Sequence, residues 1–451
     1  MRSLHTRQLL WIAFFLEVGF GVFCLLLSRS VSSLLVIVVV SGLVGGLSFI
    51  TRATGLWSQN LNGGKPQEWP TSDTSVNPGR PVSGWSSART YNSNLGSKSG
   101  SGWNMSNIGN VSLNLGTNPE RTEQINLTVP LDEKITSFIL NLSSGGVKLR
   151  GQEGLKEVRI LATKRVWTSD DLEARLQFDK LQLNHTIESE SGILRVEAGD
   201  PNQGLVIGRA PRMDLEIDVP PALAANLTSN YGEILTKDYN GDLVATTNLG
   251  AIAVESYSSG RNITLNTTSG KLSLQGVAAG LVKAHSKVGL IELSGVGAEA
   301  LDLDATAASI RARGINCDRY AARAVTGSIE LYEAKVESDL EMKAGAGRIH
   351  AERVQAGSLH LEATTGSVFY RGNVPTAPSE IMSRVGSVQM VLASGTGFNL
   401  EAVSNVGTVD IALPVTNLKY QGRNNFEGQV AGGGSLVRVS SQVGSIKIAL
   451  G

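Results

Sequence analysis

Five histidines, two cysteines and several recurring serines and carboxylates are the residues from which this 451-residue sequence could build a reactive centre. A metal site needs imidazole, thiolate or carboxylate groups converging on one ion. His350 and His360 stand ten residues apart, about half of a repeat of 19 to 20 residues, which puts their imidazoles on opposite sides of one coil. His5, His185 and His285 have no partner of that kind nearby in sequence. Cys24 lies in an apolar run and Cys317 far downstream, so the chain offers neither a disulfide framework nor a CxxC metal site. No HExxH, GxSxG, phosphate-loop or Cys/His nucleophile pattern occurs, and the glycines of 431–434 are followed by no Lys-Ser/Thr element and helix. Lys+Arg and Asp+Glu number 40 each, which removes the electrostatic case for a nucleic-acid partner. The expectation is a non-enzymatic protein without catalytic, cofactor-binding or metal-ligating residues and without a cofactor.

The residues that do recur in register are glycines. Between 230 and 451 small polar residues lead repeatedly to Gly232, Gly250, Gly270, Gly289, Gly327, Gly347, Gly366, Gly386, Gly407 and Gly444, with Ala308 in one equivalent place. Their spacing is 18 to 21 residues, then 37 before Gly444, so one anchor is blurred by a Gly-rich insertion at 420–435. Two positions after each anchor stands an apolar residue, for example Ile234, Ile252, Leu272, Ile291, Ile329 and Val388. Seven and five before it lies a second pair, such as Ile263/Leu265, Leu301/Leu303 and Leu359/Leu361. Each repeat therefore holds two period-two strands in fixed register, with glycine at the corner. One repeat cannot bury its apolar side alone, whereas stacked repeats can. At about 4.8 Å per rung, eleven or twelve rungs predict a rod on the order of 55 Å long.

The outward positions also carry recurring polar side chains. Ser309, Ser328, Ser367, Ser387 and Ser445 follow their anchors directly, and a hydroxyl ladder of that kind can hold glycans. Small polar residues beside a tight corner account for it more simply. Three after the anchor come Glu292, Arg311, Glu330, His350, Gln389, Asp410 and Lys447, a mixture without the stacked carboxylates that a polysaccharide hydrolase needs. Opposite charges on neighbouring rungs are placed to pair.

Ahead of the repeats, residues 9–27 and 34–50 are almost wholly apolar and separated only by a short stretch with Arg29. Each is near the lower limit for a spanning helix. They predict a pair of transmembrane helices over 1–54, with the lipid bilayer as partner through residues 9–50; a signal sequence followed by one anchor is the alternative. Residues 55–119 have the Ser/Gly/Asn-rich composition of a disordered tether. Residues 120–212 read as a smaller β module with one short helix, N-capped by Ser169 or Thr168 and ending near Leu181. Residues 213–451 form the β-repeat domain. The fold class expected is all-β: a β-solenoid-like stack of two-strand repeats of about 20 residues, preceded by that module and two N-terminal transmembrane helices.

The strand ending in Val-Pro at 217–220, the Asn-Tyr-Gly-Glu-Ile corner at 230–234, and the repeats Thr-Thr-Ser-Gly-Lys-Leu-Ser-Leu (267–274) and Ala-Thr-Thr-Gly-Ser-Val (363–368) carry a resemblance. With the closing Ser-Gln-Val-Gly-Ser-Ile-Lys-Ile (441–448), they resemble the bacterial "putative adhesin" β-strand-repeat family, a domain of unknown function. The resemblance covers about 120–451. It implies a β-solenoid-like fold, a bacterial origin, membrane tethering and a role at the cell envelope, and it carries over no catalytic residue. The resulting expectation is an integral membrane protein of the bacterial cell membrane that presents a rigid binding or structural surface. Its candidate partners are an envelope protein, a glycan, or a second copy reached through the C-terminal rung at 446–450. A cytoplasm-facing scaffold or envelope-stress sensor is the alternative, and a carbohydrate-active solenoid enzyme is less favoured.

Overall fold

The structure is a computed structural model and describes residues 112–114, 119–203 and 206–451. In chain order the first elements are β1 (Ser112–Asn114), β2 (Glu120–Pro130), β3 (Ser137–Ser144), β4 (Val147–Gly151), β5 (Glu157–Trp167), helix α1 (Asp171–Lys180), β6 (Gln182–Glu188) and β7 (Ile193–Gly199). Then come β8 (Val206–Gly208), β9 (Arg212–Val219), β10 (Ala224–Tyr231), β11 (Ile234–Lys237), β12 (Leu243–Leu249) and β13 (Ile252–Ser258). The long β14 (Ile263–Thr326) runs through several rungs and is followed by β15 (Ile329–Ala346), β16 (Ile349–Thr365), β17 (Val368–Gly372), β18 (Ser379–Val385) and β19 (Val388–Leu392). The last are β20 (Phe398–Val406), β21 (Val409–Ala412), β22 (Val415–Gln421), β23 (Asn425–Val430), β24 (Ser435–Val443) and β25 (Ile446–Leu450).

Because each repeat carries the same pattern, each strand pairs in parallel with its counterpart one rung away. Ile329 sits opposite Ile349, Leu331 opposite Ala351 and Leu340 opposite Leu359. The same columns run on through Val368 and Val388. All of these side chains point into one continuous core and are essentially water-free. Each such Ile, Leu or Val contributes on the order of 1.5–3 kcal/mol by leaving water. A rung has three sides, not the two that the periodicity predicts. Seven residues after the anchor stand Tyr239, Tyr257, Val277, Val296, Ile315, Ala334 and Val354, a third buried column. The ladder pairs Ile315 with Ala334 and Ala334 with Val354. The corner before that column is left-handed, with φ of 60° at Gly276 and 54° at Ser256 and Glu333.

Both ends of the stack are closed by antiparallel strands. At one end β2 pairs with β5 along its whole length, β5 pairs with β9, and β6 folds back on β7. At the other, β23 pairs antiparallel with both β20 and β22. Such caps occupy backbone donors and acceptors that an end rung would otherwise present. Strands β2–β7 and β9–β25 belong to one sheet of 23 strands, and β1 and β8 pair with each other in a separate one.

Several expectations are corrected. The fold is all-β with a stacked parallel sheet, but its two transmembrane helices are not found: among the described residues no helix is long and apolar enough to cross a membrane. The one helix described with a cap is α1. Residues 9–50, with the bilayer contact assigned to them, lie outside the described residues, as does the tether over most of 55–119. The expected localisation as an integral membrane protein is corrected to the same extent: no spanning helix among the described residues supports it. Helix α1 is capped by Asp170, whose side chain accepts from the backbone N–H groups of Leu172 and Glu173 at 2.8 Å, and not by Ser169 or Thr168. Thr168 instead accepts from the Asp170 N–H and donates to Glu173.

No anchor is blurred at 420–435; that stretch forms most of the β22–β23 hairpin and the turn leading into β24. Nor is the C-terminal rung an open end. β25 lies between β19 and β21, and β24 lies between β18 and β20, so the rung that is last in sequence is interior in space.

Candidate functional site

The anchor glycines form one column down the corner between two sides of the stack. A Cβ built on Gly270 would overlap the backbone carbonyl oxygen of Gly250, and the same holds for Gly250 on Gly232 and Gly289 on Gly270. The column continues through Gly327, Gly347, Gly366 and Gly386, then passes to Gly444 and only afterwards to Gly407, following the spatial order of the rungs. Gly145 extends it at the other end. Three residues before many anchors a buried hydroxyl ties the rungs together. Thr247 donates to the Gly232 carbonyl at 3.1 Å, Ser383 to Gly366 at 2.9 Å and Ser404 to Gly444 at 2.8 Å. Central rungs carry Ala324, Ala344 and Ala363 in the same place, all buried. These contacts hold the scaffold and have no chemistry of their own.

On the outer faces charges pair from rung to rung. Glu330 receives Arg348 at 2.7 Å and Arg311 at 3.1 Å. Glu333 lies between Arg313 and Arg353 in the same manner. The Arg348 hydrogen bond, with Arg311 beside it, holds the Glu330 carboxyl below its ordinary value. The histidines are not brought together: His285 faces Asp304 at 3.3 Å, His360 faces Glu380 at 3.9 Å, and His350 stacks on Phe369 with ring centroids 4.6 Å apart. Among the described residues no group of three or more His, Cys, Asp or Glu side chains is placed to hold a metal ion. Cys317 is buried, and that burial pushes its thiol up to about 12, so it is inert.

A surface recess lies where the antiparallel cap meets the parallel stack. It measures about 790 Å³ and is walled by β5, β9 and the corners that open β4, β11 and β13. A second depression of about 550 Å³ shares Lys148, Glu216 and Leu235 with it, so the two make one groove. Strand alternation explains which side chains face it. On β5, Ala162, Lys164 and Val166 turn inward, leaving Thr163, Arg165 and Trp167 on the outside. On β9, Met213, Leu215 and Ile217 turn inward and Arg212, Asp214 and Glu216 outward. The floor is half-buried and aliphatic, made by Leu235, Ala251 and Ala253.

The groove's charged side chains are held in fixed positions by one another. Arg165 donates to Asp214 at 2.6 Å and also pairs with Glu120. Asp214 accepts in addition from the Gly146 backbone N–H at 2.9 Å and lies 3.4 Å from Arg212. The Arg212 guanidinium stands 5.4 Å from the centre of the Trp167 ring. Lys148 meets Glu216 at 3.0 Å, and Arg150 forks onto both oxygens of Asp218 at 2.9 and 3.0 Å. The result is a strip of preset donors and acceptors, with more cationic than anionic side chains in its lining, beside an indole and an aliphatic floor. The periodicity gave no hint of this site, because β5 and β9 are 45 or more residues apart and join out of sequence order.

The architecture is that of a capped β-solenoid with a surface groove. A family model described as Toastrack DUF4097 matches residues 233–370. No curated protein matches the chain. Among solved structures, the chain is similar to a "putative adhesin" from Parabacteroides distasonis ATCC 8503, at 13% identity and a TM-score of 0.33, over 61% of this chain and 96% of that one. It is similar to a "putative adhesin" from Bacteroides fragilis NCTC 9343 at 12% identity and a TM-score of 0.28, over 72% and 97%. A third is a "Putative lipid binding protein" from Parabacteroides distasonis ATCC 8503, at 11% identity and a TM-score of 0.25, over 76% and 99%. Likenesses this distant assign no ligand, so the functional reading comes from this chain's own residues.

Proposed function

We propose that the chain is a non-catalytic binding protein whose rigid stack presents the groove between β5, β9 and β11, and that the groove takes an uncharged glycan segment. The observation behind this reading is the combination of a half-buried Trp167 and aliphatic floor with charged side chains already neutralised by their neighbours. A sugar offers C–H faces to the first and hydroxyl groups to the second. Prepaired carboxylates and guanidinium groups keep spare hydrogen-bonding capacity for those hydroxyls. Because the side chains are fixed before binding, little ordering cost falls on the protein.

The test is calorimetric titration of the full chain with a panel of neutral, acidic and basic oligosaccharides, repeated on Trp167→Ala and Leu235→Glu. Saturable binding of a neutral member, weakened at least about tenfold by each substitution, is expected; tenfold corresponds to 1.4 kcal/mol. Binding of none of the panel, or equal binding by both variants, overturns the proposal. Release of reducing ends from any member during the titration would replace it with an enzymatic reading.

A further inference from the structure

We infer that β24–β25 is an exchangeable rung, and that the slot it fills accepts the same segment from a second copy of this chain. In sequence the β18–β19 rung is followed directly by the β20–β21 rung, yet in space these two never touch through the ladder. Residues 435–450 are wedged between them. Val439 lies opposite Ile381 on one side and Ala402 on the other; Ile446 lies opposite Val388 and Val409. Val437, Val439, Ile446 and Ile448 are wholly buried there. A rung inserted in this way makes all its contacts with surfaces built by residues upstream of it. Nothing in those contacts depends on whether the inserted segment belongs to the same molecule.

The connection supplies the hinge. Between β23 and β24 the chain reverses through Ala431, Gly432, Gly433 and Gly434, all with positive φ, at 48°, 92°, 83° and 158°. Ala431 is the only one of the four with a side chain, and an L-residue held in the left-handed region is strained there. Extending the hinge releases that strain and carries β24–β25 away from its own slot, which is the condition for exchange between copies. The flanking rungs also suit a second copy's segment as well as their own. Their inward residues match in kind at four of five aligned positions, Ile381 with Ala402, Ser383 with Ser404, Val388 with Val409 and Met390 with Ile411, Ser379 opposite Leu400 being the exception, so both walls of the slot carry the pattern of this repeat.

The experiment uses the full chain with Cys24→Ser and Cys317→Ala. Ser383 and Ser441 are directly paired across β18 and β24, within the reach of a disulfide between neighbouring strands. One population carries Ser383→Cys and another Ser441→Cys; they are mixed, incubated at high concentration, oxidised and resolved by non-reducing electrophoresis and light scattering. A disulfide-linked heterodimer is expected. Its yield rises severalfold when residues 432–434 are deleted, because the shortened hinge cannot return the rung to its own slot, and falls with Ala431→Gly, which relaxes the closed hinge. Two controls guard the reading. Ser383→Cys with Ser441→Cys in one chain closes internally, reporting that the rung is seated as described even if the deletion variant fails to fold. Ser229→Cys, on a distant rung, gives no heterodimer with Ser441→Cys. Closure within the double variant without heterodimer in the mixture overturns the inference, as does heterodimer formed equally well with Ser229→Cys or a double variant that does not close.

Discussion

Replacing Gly270 and Gly276 by alanine, separately, tests why glycine recurs at one corner of the rung and not at the other. Both have positive φ, 158° and 60°, and they lie six residues apart on one rung. Around Gly276 no atom lies within 4 Å of a built Cβ. Its substitution therefore carries only the left-handed cost, about 1–2 kcal/mol, reduced by the roughly 0.4–1 kcal/mol that alanine removes from the freedom of the unfolded chain. A net loss of about 1 kcal/mol follows. At Gly270 the new methyl overlaps the Gly250 carbonyl. That backbone cannot yield freely, since the Gly250 N–H donates to the Ser269 carbonyl at 3.0 Å and its own oxygen accepts from Thr267 at 3.3 Å. Parting the rungs sacrifices both hydrogen bonds, about 1 kcal/mol each, and leaves about 1–3 kcal/mol of backbone strain. The expected loss is about 3–5 kcal/mol.

A stack of repeats opens rung by rung, so the difference is best read locally. Hydrogen exchange of the amides between 243 and 293 should show protection falling by roughly thirtyfold to several hundredfold more for Gly270→Ala than for Gly276→Ala, since each 1.4 kcal/mol is a factor of ten. Equal loss of protection in the two variants would refute the argument. It would mean that backbone conformation alone, and not the approach of the neighbouring rung, requires glycine in the anchor column.

Two further outcomes follow from the same scaffold. Thr247→Ala removes the hydroxyl that reaches the Gly232 carbonyl and should cost about 1 kcal/mol by denaturant unfolding, whereas Ala344→Ser supplies a hydroxyl at the equivalent place and should stay within about 0.5 kcal/mol of the parent; the reverse order would discard the hydroxyl tie. Glu330 is held below its ordinary value of 4.5 by Arg348 and Arg311. Its folded carboxyl is the stronger acid, so the stabilisation is present above 4.5 and disappears as pH falls through the depressed folded value. Glu330→Gln should flatten that acid limb in melting-temperature profiles, and an unchanged limb would show that the pair adds nothing.

How much of this was legible in the sequence depended on whether the backbone or open space chose the residue. At every anchor but Ala308 a neighbouring carbonyl stands where a side chain would begin, so glycine is imposed and the period stands out. At the second corner, six residues later, the position is left-handed but roomy. Asp238, Ser256, Gly276, Gly295, Gly314, Glu333 and Arg353 all occupy it, so no single residue type marks it, and the third side of the rung was hidden although its buried column is regular. The order of stacking was hidden for a different reason. Val388, Ile446 and Val409 obey one pattern, and a pattern shared by every rung cannot say which rung lies on which. The groove depends on that order: Trp167 meets Arg212 and Arg165 meets Asp214 only because β5 pairs with β9 across the cap.

The interleaving at the two ends changes how such a stack can come apart. A linear array frays by shedding its terminal repeat, which is held on one face only. Here β3–β4 lies between the β7 and β9 strands on one side and β10–β11 on the other. β24–β25 is enclosed in the same way at the opposite end. The rungs at the spatial ends belong to segments whose chain on both sides is tied into the interior, and the rung formed by 435–450 is gripped on both faces. A peeled end therefore stays tethered to the interior at both of its chain connections, which shortens the loop that must close again, and an array held together this way recloses its ends more readily than a linear one. The same arrangement concentrates the consequence of losing 435–450. Its departure does not shorten the stack by one rung; it parts the stack at the level of β18–β19, beneath the cap.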